Sequence, residues 1–244
     1  MTKIGIIGAG NMGSAIYRAL SEKFTVSLCD SSSEKVTALD TQNACDKMDE
    51  MDVIILAVKP QTFESLSLNF EGKLVISIMA GISLSRLPAR AVRSMPNLPI
   101  QVKKGVVGWT ASAVTSLEDK KLAAEIFSSF GTSIEVQDES LLDAITALSG
   151  SGPAYFFYFT ELLAQKAQQM GFSAEESRLI AEQTFTGSAA LLEANSLTAE
   201  NWRQAVTSKG GTTEAALKEL SQTLPPAFNS AIDAAFNRSK ELNS

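Results

Sequence analysis

Ile4-Gly5-Ile6-Ile7-Gly8-Ala9-Gly10-Asn11-Met12-Gly13 is a short apolar run that ends in G-x-G-x-x-G and leads into a helical pattern. Strand, glycine turn and helix in that order are the setting in which such glycines bind a dinucleotide. Gly8 permits the tight turn, Gly10 lets a pyrophosphate approach the backbone, and Gly13 lets helix and strand pack closely. The amides of Asn11, Met12 and Gly13 open the helix without partners of their own and offer a positive dipole end to phosphate oxygens. A bare strand-to-helix turn is the plain alternative. Asp30 weighs against it, because it ends the next β-branched run, where a carboxylate can accept hydrogen bonds from the adenosine ribose. Ser31, Ser32, Ser33 and Lys35 follow at once and can hold a ribose phosphate. The carboxylate favours NADH and the serine-lysine stretch NADPH; the balance falls slightly to NADPH.

Outward from this loop, β-branched runs at residues 4–7, 25–29, 53–58, 74–78, 91–94, 106–110 and 133–136 alternate with helical segments, including 11–21 and 116–130. That alternation is the pattern of an α/β doubly wound parallel sheet. Residues 53–58 are apolar at every position, as a central strand covered on both faces requires. After residue 137 only helical spacing remains, which divides the chain into a dinucleotide-binding domain at 1–137 and an all-helical domain at 138–244. In the second part Phe156, Phe159, Leu163, Ala167 and Met170 form one stripe, with Gly171 as a stop. Ser173 and Glu176 have capping-box spacing before a helix rich in small residues at 184–190. Pro225-Pro226 is expected to break the chain before a last helix carrying Phe228, Ile232 and Phe236. These apolar helices fit either a self-contained bundle or packing against a second copy.

Of the 244 residues 45% are hydrophobic and 20% charged, ample for a packed core, and the net charge of -6 comes without a basic cluster. That balance argues against nucleic acid and against an anionic membrane surface as partners. No apolar run approaches the roughly 20 residues of a membrane span, and the first residues lack the order of a signal peptide. A soluble, cytoplasmic protein is expected. Cys29 and Cys45 provide neither a disulfide framework nor a thiolate metal site and read as reduced thiols. The chain contains no histidine, which removes imidazole metal sites and histidine-based nucleophile pairs. No metal is expected. Chemistry must rest on hydroxyls, carboxylates, lysines, amides or a cofactor.

Further along, Val206-Thr207-Ser208-Lys209-Gly210-Gly211-Thr212-Thr213, followed by Ala215-Ala216-Leu217, closely resembles the signature of pyrroline-5-carboxylate reductases. The likeness extends to Ala57-Val58-Lys59-Pro60, to residues 77–82, to Met95-Pro96-Asn97 and to residues 148–155, in the family's order. The resemblance implies an N-terminal Rossmann domain, a C-terminal helical dimerisation domain, and an obligate homodimer that assembles further in some members. It implies NADPH or NADH as cofactor and a small cyclic imine acid as substrate. By resemblance, Val206, Ser208, Gly211, Thr212 and Thr213 surround the substrate, with Thr213 the candidate proton donor and Ser208 beside it. Ala57, Val58, Lys59, Pro60, Ala80, Gly81 and Asn97 would line the cofactor. Physical sense agrees: hydroxyls and amides of the 208–213 turn converge at a helix start, a place for a carboxylate. Lys209 stands where the family commonly has proline, and Ala44 and Ser196 stand where many relatives carry Asn and Glu.

The activity so implied is hydride transfer from NAD(P)H to 1-pyrroline-5-carboxylate, giving L-proline, the last step of proline biosynthesis. Without histidine, the proton comes from an already protonated iminium, from Thr213 or from water. A β-hydroxyacid dehydrogenase is the rival enzyme, but its catalytic lysine motif is not found around Lys166. A non-catalytic NAD(P)-sensing protein is the rival of another class.

Overall fold

The computed structural model describes residues 2–66, 68–194 and 196–243. A seven-stranded sheet runs in the order β2-β1-β3-β4-β5-β6-β7. Its strands are β1 (Lys3–Ile7), β2 (Thr25–Cys29), β3 (Val53–Leu56), β4 (Leu74–Ser77), β5 (Ala91–Pro96), β6 (Gly105–Ala111) and β7 (Gly131–Glu135). The first five strands pair parallel. β6 instead runs antiparallel to β5, from Val92 opposite Ala111 to Pro96 opposite Val107. Only a short 3-10 turn, Leu98–Val102, separates them, and a turn of that length cannot carry the chain back across the sheet as a parallel pair requires. β7 returns parallel to β6 after helix α4 (Leu117–Ser128).

Alternate residues of the central strands feed two cores, which is why those strands are apolar throughout. On one face Ile4, Ile6, Ile55, Leu74 and Ile76 pack with Ala15, Ile16 and Leu20 of α1 (Asn11–Leu20) and with Ile126 and Phe127 of α4. On the other, Ile7, Ile54, Leu56 and Val75 pack with Met48, Met51, Met79 and Ile82. Cover on this second side is slight in helix: α3 (Pro60–Phe63) has four residues, and the five-residue α2 (Ser33–Thr37) buries its Val36 in the first core. A 3-10 turn at Cys45–Glu50 and the side chains of Phe63, Leu66, Leu68 and Phe70 complete it.

That 3-10 turn brings Cys45 to the end of β2, where it forms a disulfide with Cys29 across a Cα separation of 4.7 Å. The expectation of two free thiols is thereby corrected. Neither residue sits in a pattern that announces pairing; the turn folding back on the strand end supplies the proximity.

By contact the chain divides into one unit of Met1–Pro153 with Ala234–Ser244, and a second of Ala154–Asp233. After α5 (Leu141–Ile145) and a π-helical turn at Thr146–Gly150, the remaining elements are helices: α6 (Gly152–Gln169), α7 (Ala174–Ala194), α8 (Ala199–Ala205) and α9 (Thr212–Asn243). The Ser173–Glu176 box forms, with Glu176 Oε2 accepting from the Ser173 amide at 2.9 Å and Ser173 Oγ accepting from the Glu176 amide at 3.2 Å. Pro225-Pro226 does not break the chain; both lie inside α9. Each proline deletes one amide donor, and the carbonyls so freed belong to the exposed Ser221 and Gln222, where water replaces the lost partner. The stripe on α6 packs little within the chain: Phe156, Phe159, Leu163 and Met170 are exposed, and only Ala167 is buried. Among the described residues no helix is long and apolar enough to cross a membrane.

Candidate functional site

The glycine loop has the geometry its spacing implies. Gly8 takes φ +109° and its amide donates to the Cys29 carbonyl at 2.7 Å, while a Cβ on the buried Gly13 would collide with the Gly8 carbonyl. Gly10 caps α1 from an extended conformation, with open space around the place a Cβ would occupy. Ser14 is the first amide of the helix to find a helical carbonyl, that of Gly10, at 2.9 Å. Asn11, Met12 and Gly13 therefore sit in the first turn, whose amides have no acceptor within the helix. A cleft of about 590 Å³ opens beside them, lined among others by Gly10, Asn11, Ser14, Arg18, Lys35 and Lys103.

Asp30 is more tightly held than a solvated strand-end carboxylate. Its Oδ2 accepts from the Ala9 amide at 2.7 Å and its Oδ1 from the Ser32 amide at 2.8 Å, with Lys35 Nζ 3.9 Å away. Burial alone would raise its pKa, but the Ala9 and Ser32 amides, the Lys35 charge and the Ser31 hydroxyl outweigh it and leave the group below the usual carboxylate range. Asp30 is thus a brace for the glycine loop. Sequence gives no sign of the residue that braces Asp30 in turn: Asn43 Nδ2 donates to the Asp30 carbonyl at 2.7 Å and Asn43 Oδ1 accepts from the Asp30 amide at 3.3 Å. Ser31 and Lys35 are exposed beside this brace, Ser32 is half-buried, and Ser33 begins α2.

The blocks that follow the other strands lie at their carboxyl ends, where doubly wound sheets bind ligands. The Ala57 amide extends the β1–β3 ladder to the Ile7 carbonyl at 2.8 Å; Val58 is half-buried, and exposed Lys59 caps α3 with Pro60 in its first turn. Ala80 and Gly81 turn the chain after β4, and Gly81 has φ +76°. The segment just beyond is tied down by Glu139, whose Oε1 accepts from the Leu84 amide at 2.8 Å and from Arg93 Nη1 at 2.7 Å. Asn97 is buried and its side chain is spent locally: Oδ1 accepts from the Val106 amide at 2.9 Å and Nδ2 donates to Ser149 Oγ at 3.1 Å. It joins the 95–97 block to Ser149 at the start of the 148–155 block. That second block begins on the π-helical turn, where the Ser151 amide reaches the Thr146 carbonyl at 2.8 Å; such turns recur at functional sites.

In the second unit, Val206 ends α8 and is exposed, and the following turn leads into α9. The Gly211 amide donates to the Ser208 carbonyl at 3.0 Å, and the Gly210 amide to Glu214 Oε2 at 2.7 Å. Two amides of the turn are therefore already satisfied, fewer being free than the glycine-rich sequence suggests. Those of Thr212, Thr213 and Glu214 remain in the first turn, since Ala215 is the first to reach a carbonyl, that of Gly211, at 3.2 Å. Ser208 Oγ lies against Gly211, at 2.5 Å from where a Cβ would stand. Thr213 is half-buried and Thr212 and Lys209 are exposed. Next to the turn, Arg203, Thr207, Gly210, Glu214 and Lys218 line a cleft of about 600 Å³.

The chain is similar to known proteins along its whole length. A family model described as pyrroline-5-carboxylate reductase dimerisation matches residues 139–242, and one described as NADP oxidoreductase coenzyme F420-dependent matches residues 3–81. A pyrroline-5-carboxylate reductase of Methanosarcina acetivorans is 37% identical over 98% of this chain and 97% of its own. One of Vibrio alginolyticus is 35% identical with the same coverage. Among solved structures, a pyrroline-5-carboxylate reductase of Coxiella burnetii superposes with a TM-score of 0.88 at 34% identity, covering 100% of this chain and 99% of that one. The Plasmodium falciparum pyrroline carboxylate reductase with NADP bound gives 0.85 at 29% identity, covering 100% and 98%.

Proposed function

We propose that this chain, which belongs to the pyrroline-5-carboxylate reductase family and reduces 1-pyrroline-5-carboxylate to L-proline with NAD(P)H, does so through two helix N-termini. The first turn of α1 holds the cofactor pyrophosphate on the amides of Asn11, Met12 and Gly13, behind Gly8 and Gly10. The first turn of α9 holds the substrate carboxylate on the amides and hydroxyls of Thr212 and Thr213, with Ser208 and Gly211 beside it and Val206 against the ring. The presence in one chain of these two sets of unpartnered amides is the observation that carries the reading. When bound, the reduced nicotinamide supplies the hydride; the protein's part is to orient and to manage a proton.

The residues present suit that cofactor. Open space at Gly10 admits a phosphate to the backbone, and Arg18 and Lys35 in the adjacent cleft supply positive charge. Ala57, Val58, Lys59, Pro60, Ala80 and Gly81 line its ribose and nicotinamide portion. Asn97 acts there as the tie that holds the neighbouring blocks in place. NADPH is the preferred form: both Asp30 carboxylate oxygens are occupied by loop amides, whereas Ser31, Ser32 and Lys35 remain to hold a ribose phosphate. Thr213 is the group that hands a proton to the imine nitrogen as its carbon takes the hydride, with Ser208 completing the hydroxyl pair.

The helical part from residue 138 onward serves substrate binding and pairing with a second copy, which covers the exposed apolar faces of α6 and α7. The setting is the cytoplasm. Purified protein given 1-pyrroline-5-carboxylate with NADPH or NADH should consume cofactor and yield proline, faster at low cofactor concentration with NADPH. Failure to oxidise either cofactor would overturn the assignment, and a preference for NADH would overturn the ribose-phosphate reading alone.

A further inference from the structure

We infer that Cys29 and Cys45 form a redox-responsive pair that sets how firmly the adenosine end of the cofactor is held, an inference that rests on the placement of the cofactor beside Asp30 given above. Cys29 is the last residue of β2 and immediately precedes Asp30; Cys45 lies 16 residues further on, at the start of the 3-10 turn. Between them runs the whole ribose-side segment, Ser31 to Lys35 included.

The bond closes a chain of contacts that ends at the glycine loop. Two residues before Cys45, Asn43 grips the Asp30 main chain from both sides, at 2.7 and 3.3 Å. The Ala44 amide adds a bond to the Leu28 carbonyl at 3.0 Å. Asp30 then receives the Ala9 amide inside the loop at 2.7 Å. Other restraints on this segment are few, since α2 is five residues long and buries only Val36. With the disulfide intact, the Asn43 clamp is held covalently in register; without it, hydrogen bonds and the packing of Val36 and Ala44 must hold a mostly exposed loop. A preorganised site loses less freedom when its ligand binds, so the oxidised form should bind the cofactor more tightly.

Cys45 is exposed and Cys29 half-buried, which makes Cys45 the sulfur open to attack. A thiolate of an external dithiol attacks Cys45 Sγ, the Cys29–Cys45 bond breaks, and Cys29 leaves as a thiolate that takes up a proton. The second thiol of the reductant displaces Cys45 from the mixed disulfide, leaving a cyclic disulfide. The protein gains two electrons and two protons, and the dithiol loses the same. With dithiol in excess the pair is open; with a small-molecule disulfide in excess the same exchange runs backwards, closing the Cys29–Cys45 bond and reducing that disulfide to two thiols.

The test compares full-length protein in air-oxidised and dithiothreitol-reduced form, with alkylation and intact mass reporting the thiol state. Steady-state kinetics and direct titration with NADPH read the site. Reduction should raise the KM and the dissociation constant for cofactor by about five-fold, with kcat and the KM for 1-pyrroline-5-carboxylate unchanged. The double variant Cys29→Ser, Cys45→Ser should match the reduced form and ignore dithiothreitol. Alkylation of both cysteines after oxidation would overturn the pairing. A lowered melting temperature with unchanged cofactor affinity would make the bond a structural staple and overturn the inference. Absence of NADPH binding in both forms would overturn the cofactor reading beneath it, and is told apart by the flat titration.

Discussion

Gly81 turns beneath the main-chain carbonyl of Leu242, so that a Cβ built on Gly81 would stand 2.5 Å from that oxygen. The last turns of α9 are thus seated on the loop that follows β4, and they are fastened nearby by Ser239 Oγ donating to Asp143 Oδ1 at 2.7 Å in a buried bond. Gly81→Ala suffers twice, from contact with the carbonyl and from φ +76°. It should destabilise the fold by about 1–3 kcal/mol in urea unfolding. Under the proposed function Gly81 lines the nicotinamide, so the KM for cofactor should rise too. An unfolding midpoint equal to the parent's would show that the α9 terminus yields freely.

Asp119 gives the fold a pH dependence of predictable sign. Its carboxylate, 7% exposed, accepts from Arg90 Nε at 2.8 Å and Nη2 at 2.5 Å, and it closes the capping box of α4 with Ser116. The Arg90 hydrogen bonds hold its pKa down; burial pushes the other way, and bonds from Ser116 help to leave the group below the ordinary range. A depressed folded pKa means that the contribution is complete above the unfolded value of about 3.9 and is lost as pH falls through the lower folded value. Asp119→Asn should therefore cost about 1–2 kcal/mol at pH 7 in urea unfolding, with the gap to the parent narrowing as pH falls below about 3.9. A gap independent of pH would show that shape rather than charge sets the cost.

The parts of this site that were legible from sequence are those whose chemistry is local. Gly8 and Gly13 announce a strand, a turn and a helix because a positive φ and a close approach admit no other residue type, and Ser173 with Glu176 announces a helix start for a similar reason. The direction of β6 was not legible, because an apolar run reads alike in parallel and antiparallel pairs; only the short link through Leu98–Val102 decides it. Pro225 misled because its cost depends on whether water reaches the carbonyls before it, which is a matter of exposure. Asn43, Cys45 and Glu139 carry no periodicity at all. Each acts through a partner far along the chain, and nothing short of the fold brings Glu139 to Arg93 or Cys45 to Cys29. Family likeness singled out the 206–213 turn, yet only the geometry shows that the Gly210 and Gly211 amides are already taken.

Thr213 is tested by splitting its two proposed duties. Its amide holds the substrate carboxylate and survives any side-chain change, whereas its hydroxyl handles the proton. Thr213→Ala should thus lower kcat on the order of 10²-fold while raising the KM for 1-pyrroline-5-carboxylate far less, and Thr213→Ser should restore most of kcat. Steady-state kinetics with each variant decides. A Thr213→Ala enzyme with parental kcat would assign the proton to the iminium or to water.

Of the five consecutive aromatic residues on α6, Tyr155 to Phe159, the four exposed ones argue for a second copy. Phe156, Phe157, Tyr158 and Phe159 are 56%, 57%, 59% and 43% exposed. Successive side chains of a helix point about 100° apart, so these four sample every side of it and none is covered well by its own chain. Phe156 meets Phe185 of α7 at 5.7 Å between ring centres, so apolar side chains of α6 and α7 adjoin. A surface of that kind is stable in water only when another apolar surface lies on it. Phe159→Glu with Leu163→Glu, both 43% exposed and one turn apart, places charge on that face while leaving the buried Ala167 untouched. Light scattering should then show the 26.0 kDa chain as a monomer at concentrations where the parent is paired, a loss of about 100-fold or more in association. Circular dichroism should retain the helical signal, and a variant that stays paired would place the interface on other helices.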